Sequence, residues 1–213
     1  MKKYRALIFD WDGTLADSTA HIVDAVQYAF AQVGLTPPTA AEAKSIIGLS
    51  LPLAMQRLDG TVSAATQAEI VKHYRSHYFQ NDHHIRLFTG ADTLLNAWQQ
   101  DYVLGIATGK SRIGLERVLD ETNSRHYFSA TRTADECHSK PHPEMVLSLC
   151  EEWGFTPEEV LMIGDTTHDL LTASNAGADA VGIVGGAHSR EMLEGVPNRG
   201  VFADLQAMAA WLG

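Results

Sequence analysis

The segment from Arg5 to Thr14 constrains the fold of this chain more than any other. Its sequence is RALIFDWDGT, in which an apolar run ends at Asp10 and a second carboxylate, Asp12, follows before a glycine. An apolar run that stops at a glycine-containing turn is typical of a buried strand entering a loop. Side chains two residues apart in a strand point to the same side, so Asp10 and Asp12 are expected to project together beyond its carboxyl end.

This pair of carboxylates has two interpretations. Two carboxylates at close range repel each other, and the pKa of one rises unless a cation neutralises the site. That cost favours a divalent-metal site or an acid/base pair. Asp and Gly are also common turn residues, so one aspartate could cap the turn while the other is solvated. The pair alone does not decide between these interpretations.

Composition limits the class of protein. The length of 213 residues fits one medium domain, or a core with a smaller insert. A formal charge of -10 argues against a nucleic-acid or anionic-membrane surface, because both need concentrated positive charge. The two cysteines, Cys137 and Cys150, form no CxxC pair, which fits a reducing compartment. The first apolar run is too short for a signal peptide or a membrane span. We therefore expect a cytoplasmic protein, monomer or homodimer, with no nucleic-acid or membrane partner.

Strand and helix patterns alternate along most of the chain. Further strands are predicted at residues 102–107, 128–131, 160–164 and 181–184, and helices at 91–99, 112–120, 143–153 and 167–176. Pro143 is expected at the first position of its helix, where no amide bond is lost. Such alternation favours a mostly parallel sheet with right-handed crossovers. The prediction is an α/β fold with a doubly wound, Rossmann-like core formed by residues 1–15 and 88–213.

Residues 16–87 break this alternation. They contain no convincing strand, and helical patterns occur at residues 18–33, 41–47, 50–58 and 64–80. An insert placed after the first strand would lie over the carboxyl edge of the sheet. Residues 16–87 are therefore predicted to form an all-helical cap domain, with hinges near residues 15–17 and 87–90.

Chemically useful side chains follow several of the predicted strands. They are Asp10, Asp12, Thr108, Lys140, Asp165 and Asp169. The carboxyl ends of parallel strands meet at one edge of a sheet, whatever their separation in sequence. Carboxylates suit a hard cation such as Mg2+, while a hydroxyl, an ammonium and loop amides suit phosphate oxygens. The combination predicts a site shared by a metal and a phosphoryl group.

In their order and spacing, these motifs resemble those of the haloacid dehalogenase superfamily in its phosphatase branch, above all phosphoglycolate phosphatase-like enzymes. Residues 10–14, DWDGT, are similar to the family's DxDGT, and residues 164–169, GDTTHD, to its acidic GDxxxD. Thr108 and Lys140 match the Ser/Thr and the Lys between them. The resemblance covers the whole chain, including the position of the cap. Thr89, in the return hinge, stands where the family usually has proline.

The resemblance implies a role for each carboxylate. Asp10 would attack phosphorus and form an aspartyl-phosphate, and Asp12 would act as general acid and then general base. Asp10, the backbone carbonyl of Asp12 and Asp165 would hold Mg2+. Asp169 would support the site, by positioning Lys140 or a metal-bound water rather than by binding the metal.

The resemblance also implies which residues bind substrate. Thr108 and the amide of Gly109 would bind phosphoryl oxygens, and Lys140 would offset the charge of the nucleophile and of the transferred group. Gly48 and Ser50, between two cap helices, would meet the rest of the substrate. The alternative for this segment is an ordinary interhelical turn.

The leading functional hypothesis is a Mg2+-dependent phosphatase acting on a small phosphorylated metabolite, with phosphoglycolate as a candidate substrate. A sugar phosphomutase or a pyrophosphatase of the same superfamily is the alternative. A dehalogenase would have little use for Asp12, because no alkoxide needs a proton. From a different class, a noncatalytic, phosphorylation-dependent signalling module would also place an acidic cluster, a Thr and a Lys on a parallel sheet.

The histidines have mostly structural interpretations. His83 and His84 are expected to be exposed at the end of the cap. His168 is expected to face solvent rather than substrate. Residues 137–142 include a cysteine and two histidines, and are interpreted as a solvent-facing loop rather than a soft-metal site, because no fourth ligand is close in sequence.

Three further side chains lie next to the motifs. Trp11, between the two aspartates, is expected to pack in the core because strand alternation turns it away from them. Lys110 and Arg112 follow the second strand. Each could either edge the pocket or solvate the start of a helix.

Overall fold

The computed structural model describes residues 3–81 and 85–213, and its centre is a six-stranded parallel sheet. The strands are β1 (Ala6–Phe9), β2 (Val103–Ala107), β3 (Ala130–Arg132), β4 (Val160–Gly164), β5 (Asp179–Ile183) and β6 (Val201–Phe202), in the spatial order β3-β2-β1-β4-β5-β6. Phe9 at the end of β1 pairs with Ile106 of β2 and with Ile163 of β4. The three central strands therefore end side by side, which brings the residues that follow them to one edge of the sheet.

Ten α-helices occur among the described residues. They are α1 (Thr19–Gln32), α2 (Ala40–Ser45), α3 (Leu51–Leu58), α4 (Ala64–Asn81), α5 (Ala91–Trp98), α6 (Arg112–Glu121), α7 (Glu144–Trp153), α8 (Thr167–Ala176), α9 (Arg190–Glu194) and α10 (Leu205–Leu212). The predicted doubly wound α/β fold is confirmed. Pro143 is the N-cap of α7 and not its first helical residue. The two-residue strand β6 and helices α9 and α10 were not predicted, since so short a strand carries no readable alternation.

Strand β1 is completely buried, and its side chains alternate between two apolar layers. Leu7 and Phe9 face the layer that includes α1, α5 and α10, and Phe9 stacks on Trp98 with ring centroids 5.6 Å apart. Ala6 and Ile8 face the layer formed with α7 and α8. Full burial of a large apolar side chain contributes roughly 1.5–3 kcal/mol, so burial on both faces fixes this strand in the middle of the sheet.

Helices α1 to α4 form a unit between β1 and α5, in which α1 packs mainly on α4. The chain leaves and returns through two segments that are hydrogen-bonded to each other. The amide of Asp17 donates to the Arg86 carbonyl at 3.0 Å, and the amide of Phe88 donates to the Leu15 carbonyl at 2.9 Å. We propose that residues 16–87 form a cap carried on this paired hinge. His83 and His84 lie outside the described residues.

No helix within residues 3–81 and 85–213 combines the length and apolar character needed to cross a membrane.

Candidate active site

Asp10 lies at the carboxyl end of β1 and is completely buried. Its amide donates to the carbonyl of Ile163 on β4 at 2.9 Å, which holds the backbone in register with the sheet. Its Oδ1 accepts a hydrogen bond from Lys140 Nζ at 2.8 Å. Its Oδ2 is buried and has no hydrogen-bond partner among the described residues. One oxygen of this carboxylate is therefore held in place and the other is available.

Lys140 joins two carboxylates that are far apart in sequence. Its buried ammonium donates to Asp10 at 2.8 Å and to Asp169 at 2.5 Å. Burial by itself lowers the pKa of an ammonium, but the two adjacent negative charges outweigh it, and the pKa of Lys140 is raised. The side chain therefore carries a positive charge at neutral pH.

Asp169 is held by the first turn of α8 as well as by Lys140. Thr166 caps this helix, and the second oxygen of Asp169 accepts from the Thr166 amide at 3.0 Å and from its hydroxyl at 2.7 Å. This capping box fixes the carboxylate in a single orientation. With one oxygen on the Lys140 ammonium and the other on the helix cap, Asp169 is placed to orient Lys140.

Asp165, at the end of β4, is also completely buried. Its Oδ1 accepts from the Thr14 hydroxyl at 2.8 Å, and its Oδ2 accepts from the Ala187 amide at 2.7 Å. A Cβ on Gly13, whose φ is +79°, would overlap this carboxylate, so a glycine is needed there both for its conformation and for its small size. The tight turn after β1 thus allows Asp165 to approach Asp10.

Burial makes this cluster electrostatically costly. It raises the pKa of Asp10 to about 7, although Lys140 acts in the opposite direction, and the charges of Asp169 and Asp12 add to the rise. It also raises the pKa of Asp165 well above its usual value, with further contributions from Asp169 and Asp10. Carboxylate oxygens of Asp10, Asp165 and Asp169 lie within 4.8 Å of one another. Three carboxylates against one ammonium, with one buried oxygen unpaired, fit a divalent cation.

Asp12 faces a different set of partners from Asp10. Its Oδ1 accepts from the Ser18 hydroxyl at 2.5 Å and forms an ion pair with Lys110 Nζ at 3.0 Å. Lys110 also donates to the Tyr78 hydroxyl of α4 at 2.9 Å. The charge of Asp12 acts on Asp10, but each of the two aspartates pairs with a different lysine. Asp12 is thereby connected to the cap.

The two open alternatives after β2 have different outcomes. Lys110 edges the pocket, as its contacts with Asp12 and Tyr78 show. Arg112 begins α6 and forms ion pairs with Glu116 at 3.0 Å and Glu136 at 2.6 Å, at the surface. The sequence provided no signal for Tyr78, because its contact with Lys110 joins segments that are distant in the chain.

The cap rests directly on the loop after β2. Thr108 is completely buried, and its hydroxyl accepts from the Lys110 amide at 3.2 Å. A Cβ on Gly109 would lie 2.6 Å from the Leu49 carbonyl and 2.7 Å from that of Gly48, so only a glycine permits this approach. The amide of Ser50 donates to the Ser139 hydroxyl, one residue before Lys140, at 2.8 Å. The structure therefore brings Gly48 and Ser50 next to the loops that carry Thr108 and Lys140.

A cavity of about 290 Å³ lies between the cap and the core. Asp12, Gly109 and Lys110 line it from the core, and Gly48 and Ser50 line it from the cap. Asp10, Lys140 and Asp165 are not part of its lining, since they are buried beneath it. The cavity thus opens onto Asp12, with the remaining charged groups below.

The expectation that His168 faces solvent is wrong. Its side chain is buried, and its Nε2 lies 3.0 Å from the Ser45 carbonyl at the end of α2, while its ring packs edge-on against His188. The cap covers the first turn of α8, and this could not be inferred from the local sequence. Burial lowers the pKa of both histidines.

Two other expectations agree with the structure. Trp11 is completely buried in the core. His138 and His142 are exposed, and Cys137 is half-buried. Single ligand atoms of His138, His142 and Glu144 lie within 4.8 Å of one another, but Cys137 is not part of this group.

Known proteins are similar to this chain over most of its length. The model of the haloacid dehalogenase-like hydrolase family matches residues 7–183. A 5'-nucleotidase of Pseudomonas aeruginosa is 30% identical over 213 residues, which cover 97% of this chain and 94% of that protein. A phosphoglycolate phosphatase of Mannheimia succiniciproducens is 28% identical over 197 residues, covering 86% of this chain and 87% of that protein.

Solved structures share the fold. A crystal structure described as a predicted phosphoglycolate phosphatase from Haemophilus somnus superposes with a TM-score of 0.90 at 22% identity, and the match covers 100% of both chains. At that identity the likeness concerns the fold alone. The family model and the Pseudomonas relative carry the assignment further, and together they establish that the chain belongs to the haloacid dehalogenase-like hydrolase family and is an enzyme of its phosphatase branch.

Proposed function

We propose that this protein is a Mg2+-dependent phosphatase that hydrolyses a small phosphate monoester through an aspartyl-phosphate on Asp10. The observation that carries the proposal is the Asp10 carboxylate, which is buried, held at one oxygen by Lys140 and unpaired at the other. A nucleophile fixed in this way loses little orientational freedom when it reacts. A group with only a packing role would have no reason to leave a buried oxygen unpaired.

In the first half-reaction, Asp10 Oδ2 attacks phosphorus as the bond to the leaving oxygen breaks. Asp12 gives its proton to that oxygen, which leaves as an alcohol. In the second half-reaction, Asp12 takes a proton from water as the water oxygen attacks the aspartyl-phosphate. Inorganic phosphate leaves and the Asp10 carboxylate is restored. Ser18 and Lys110 hold Asp12 at the cavity throughout.

The transferred phosphoryl group would be bound by the loop after β2 and by Lys140. The Thr108 hydroxyl and the Gly109 amide lie just before the first turn of α6, a position suited to anions. Asp10, Asp165 and the backbone carbonyl of Asp12 would hold Mg2+. When bound, the cation supplies charge neutralisation between the carboxylates and the phosphoryl oxygens.

Activity after metal removal tests the proposal. The purified protein, freed of metal with a chelator, should release no phosphate from a monoester such as nitrophenyl phosphate, and added Mg2+ should restore release. Asp10→Asn should reduce turnover by roughly 10⁴-fold or more, because an amide is a poor nucleophile. Asp120→Asn, which changes an exposed carboxylate of α6, is the matched control and should retain activity.

A second measurement separates metal binding from turnover. Mg2+ should raise the unfolding temperature of the wild-type protein, because it binds the folded state. Asp165→Asn should lose most of this rise and Asp120→Asn should keep it. Full activity after rigorous chelation, or an unchanged rise in Asp165→Asn, would contradict the metal assignment.

The alternatives differ in what happens to the phosphoryl group. A sugar phosphomutase would return it to a sugar, and a pyrophosphatase would release two phosphates. A noncatalytic signalling module would show no steady turnover of any ester. Phosphoglycolate remains a candidate substrate, and the shape of the cavity bears on that choice.

A further inference from the structure

The position of the cavity determines which part of a substrate it holds. Asp12 is the group proposed to protonate the leaving oxygen, and it lines the cavity. The leaving half of the ester must therefore lie in the cavity, while the phosphoryl group lies at the buried carboxylates below. The walls of the cavity then decide which leaving groups bind.

Most of those walls are apolar and several are aromatic. Tyr74 and Tyr78 of α4 lie stacked, with ring centroids 5.6 Å apart and planes inclined by 19°. Phe79 packs edge-on against Tyr78. Ile22 and Val26 of α1 contribute aliphatic surface. A surface of this kind favours a flat, weakly hydrated group over a small anion.

The size of the cavity also favours a leaving group larger than a small anion. Its volume of about 290 Å³ is close to the lower end of the roughly 300–1,000 Å³ that is typical of small-molecule sites. Glycolate or a second phosphate would fill only part of this space. Both are strongly hydrated, and away from Arg75 most of their polar atoms would face apolar walls, at a cost in free energy.

The two cationic side chains that line the cavity differ in whether they already have a partner. Lys110 is already paired with Asp12. Arg75 of α4 lines the cavity, is exposed, and has no ion pair or hydrogen bond among the described residues. Its guanidinium is therefore available to a polar edge of a bound ring, one helical position from Tyr74.

We infer that the preferred substrates are phosphate monoesters whose leaving group carries a planar ring system, which packs on Tyr74 and presents its polar edge to Arg75. This inference rests on the phosphatase activity proposed above. It assigns Tyr74 and Arg75 as specificity-determining residues, outside the motifs that carry the chemistry.

A matched pair of esters tests the inference. Ribose 5-phosphate and adenosine 5'-monophosphate share the same scissile ester on a primary alcohol and differ by the presence of the ring system. For the wild-type protein with Mg2+, kcat/KM should be at least about tenfold higher for the ester with the ring, the size expected for stacking of one base on an aromatic side chain. Phosphoglycolate and pyrophosphate should be poorer than either.

Substitutions in the cap test which of its residues cause the preference for the ring-bearing ester. Tyr74→Leu should lower kcat/KM about tenfold for adenosine 5'-monophosphate and leave that for ribose 5-phosphate within about twofold. Tyr74→Phe retains the ring and should retain the preference, which excludes a general folding defect. Tyr28→Leu is the matched control, because Tyr28 also stacks within the cap, on His77, but lies outside the cavity lining. Arg75→Gln should raise KM for the ring-bearing ester with little change in kcat.

The outcomes separate the two proposals. Equal kcat/KM for the matched pair, or a preference for phosphoglycolate, would overturn this inference and leave the phosphatase assignment standing. A ring preference that survives in Tyr74→Leu would also overturn it. Absence of turnover for every ester would remove the phosphatase proposal, and this inference with it.

Discussion

The buried charged side chains of the site and the walls of the cavity above them differ in polarity and in exposure. The charged floor (Asp10, Lys140, Asp165 and Asp169) comes from loops of the core, and all four side chains are completely buried. The cavity walls come mainly from α1, α4 and the segment between α2 and α3, and they are mostly apolar and partly exposed.

This difference suggests a division of roles, in which the buried charged residues carry out the reaction and the cavity walls select the substrate. Each carboxylate of the floor is fixed by directional bonds, so a small change leaves a charge buried without its partner. Apolar walls bind a substrate through buried area and complementary shape, and they tolerate substitutions that conserve side-chain volume. Substitutions in the floor should therefore remove activity or stability, whereas substitutions in the walls should change which ester is preferred.

Asp12 lies at the boundary between the two regions, and Asp12→Asn should show the largest effect. An amide cannot donate a proton to a poor leaving group, so turnover of alkyl phosphates should fall by about 10²–10⁴-fold. Nitrophenyl phosphate should be affected far less, because nitrophenolate leaves without a proton. Rates measured across leaving groups of graded basicity check this. A uniform loss for all of them would contradict the general-acid role.

Lys140→Met should destabilise the floor itself. Removing one partner of a buried ion pair typically costs about 3–5 kcal/mol, because the remaining charge stays buried and uncompensated. Urea unfolding in the presence of a chelator measures the loss. Lys72→Met, which removes the exposed partner of Glu69 on α4, is the matched comparison and should cost about 0–1 kcal/mol. Equal losses would mean that burial does not distinguish the two lysines.

Metal-free protein should lose stability as the pH rises from about 4 to about 7. Burial raises the pKa of Asp10 from 3.8 to about 7, so within this window the folded state holds a proton that the unfolded state has released. The contribution of Asp10 to the free energy of unfolding therefore falls as the pH rises and levels off above about pH 7. Each unit of pKa shift corresponds to about 1.4 kcal/mol, which predicts a loss of a few kcal/mol.

The difference between wild-type and Asp10→Asn isolates this effect. Asn does not titrate, so the difference in unfolding free energy should carry the slope of Asp10 together with its coupling to Asp165. His168 and His188 have lowered pKa values and give the opposite slope below about pH 6.5, but both variants contain them and their contribution cancels. Saturating Mg2+ should suppress the loss. A flat difference curve in metal-free protein would contradict the prediction.

Ser50→Leu should have the smallest effect, a severalfold change in the ranking of substrates. Ser50 lines the cavity, and its side chain makes no cap bond to α3, so a larger side chain alters the walls without breaking the helix. Kinetics on a panel of esters, with a Mg2+ titration alongside, measures the change. An unchanged ranking would place Ser50 away from the substrate, and a parallel fall in Mg2+ affinity would indicate damage to the floor.

The sequence by itself determined the alternation of strands and helices, the helical insert after β1, and the meeting of Asp10, Thr108, Lys140 and Asp165 at one edge of the sheet. These follow from local periodicity and from a general rule of parallel sheets, neither of which requires knowledge of particular contacts. The same reasoning led to the Mg2+ hypothesis, because clustered carboxylates repel one another unless a cation neutralises them.

Only the tertiary structure decided which side chains outside the motifs complete the site. It showed that Asp12 pairs with Lys110 and that the cap buries His168. The family resemblance had implied that Lys140 offsets the charge of Asp10, and the structure gives their distance, 2.8 Å. It also placed Tyr74 and Arg75 at the cavity. The physical reason is that such pairings depend on the distance between side chains of different elements, and Lys110 and Tyr78 are 32 residues apart in sequence. Local pattern carries no information about which of several lysines will lie within 3 Å of a given carboxylate.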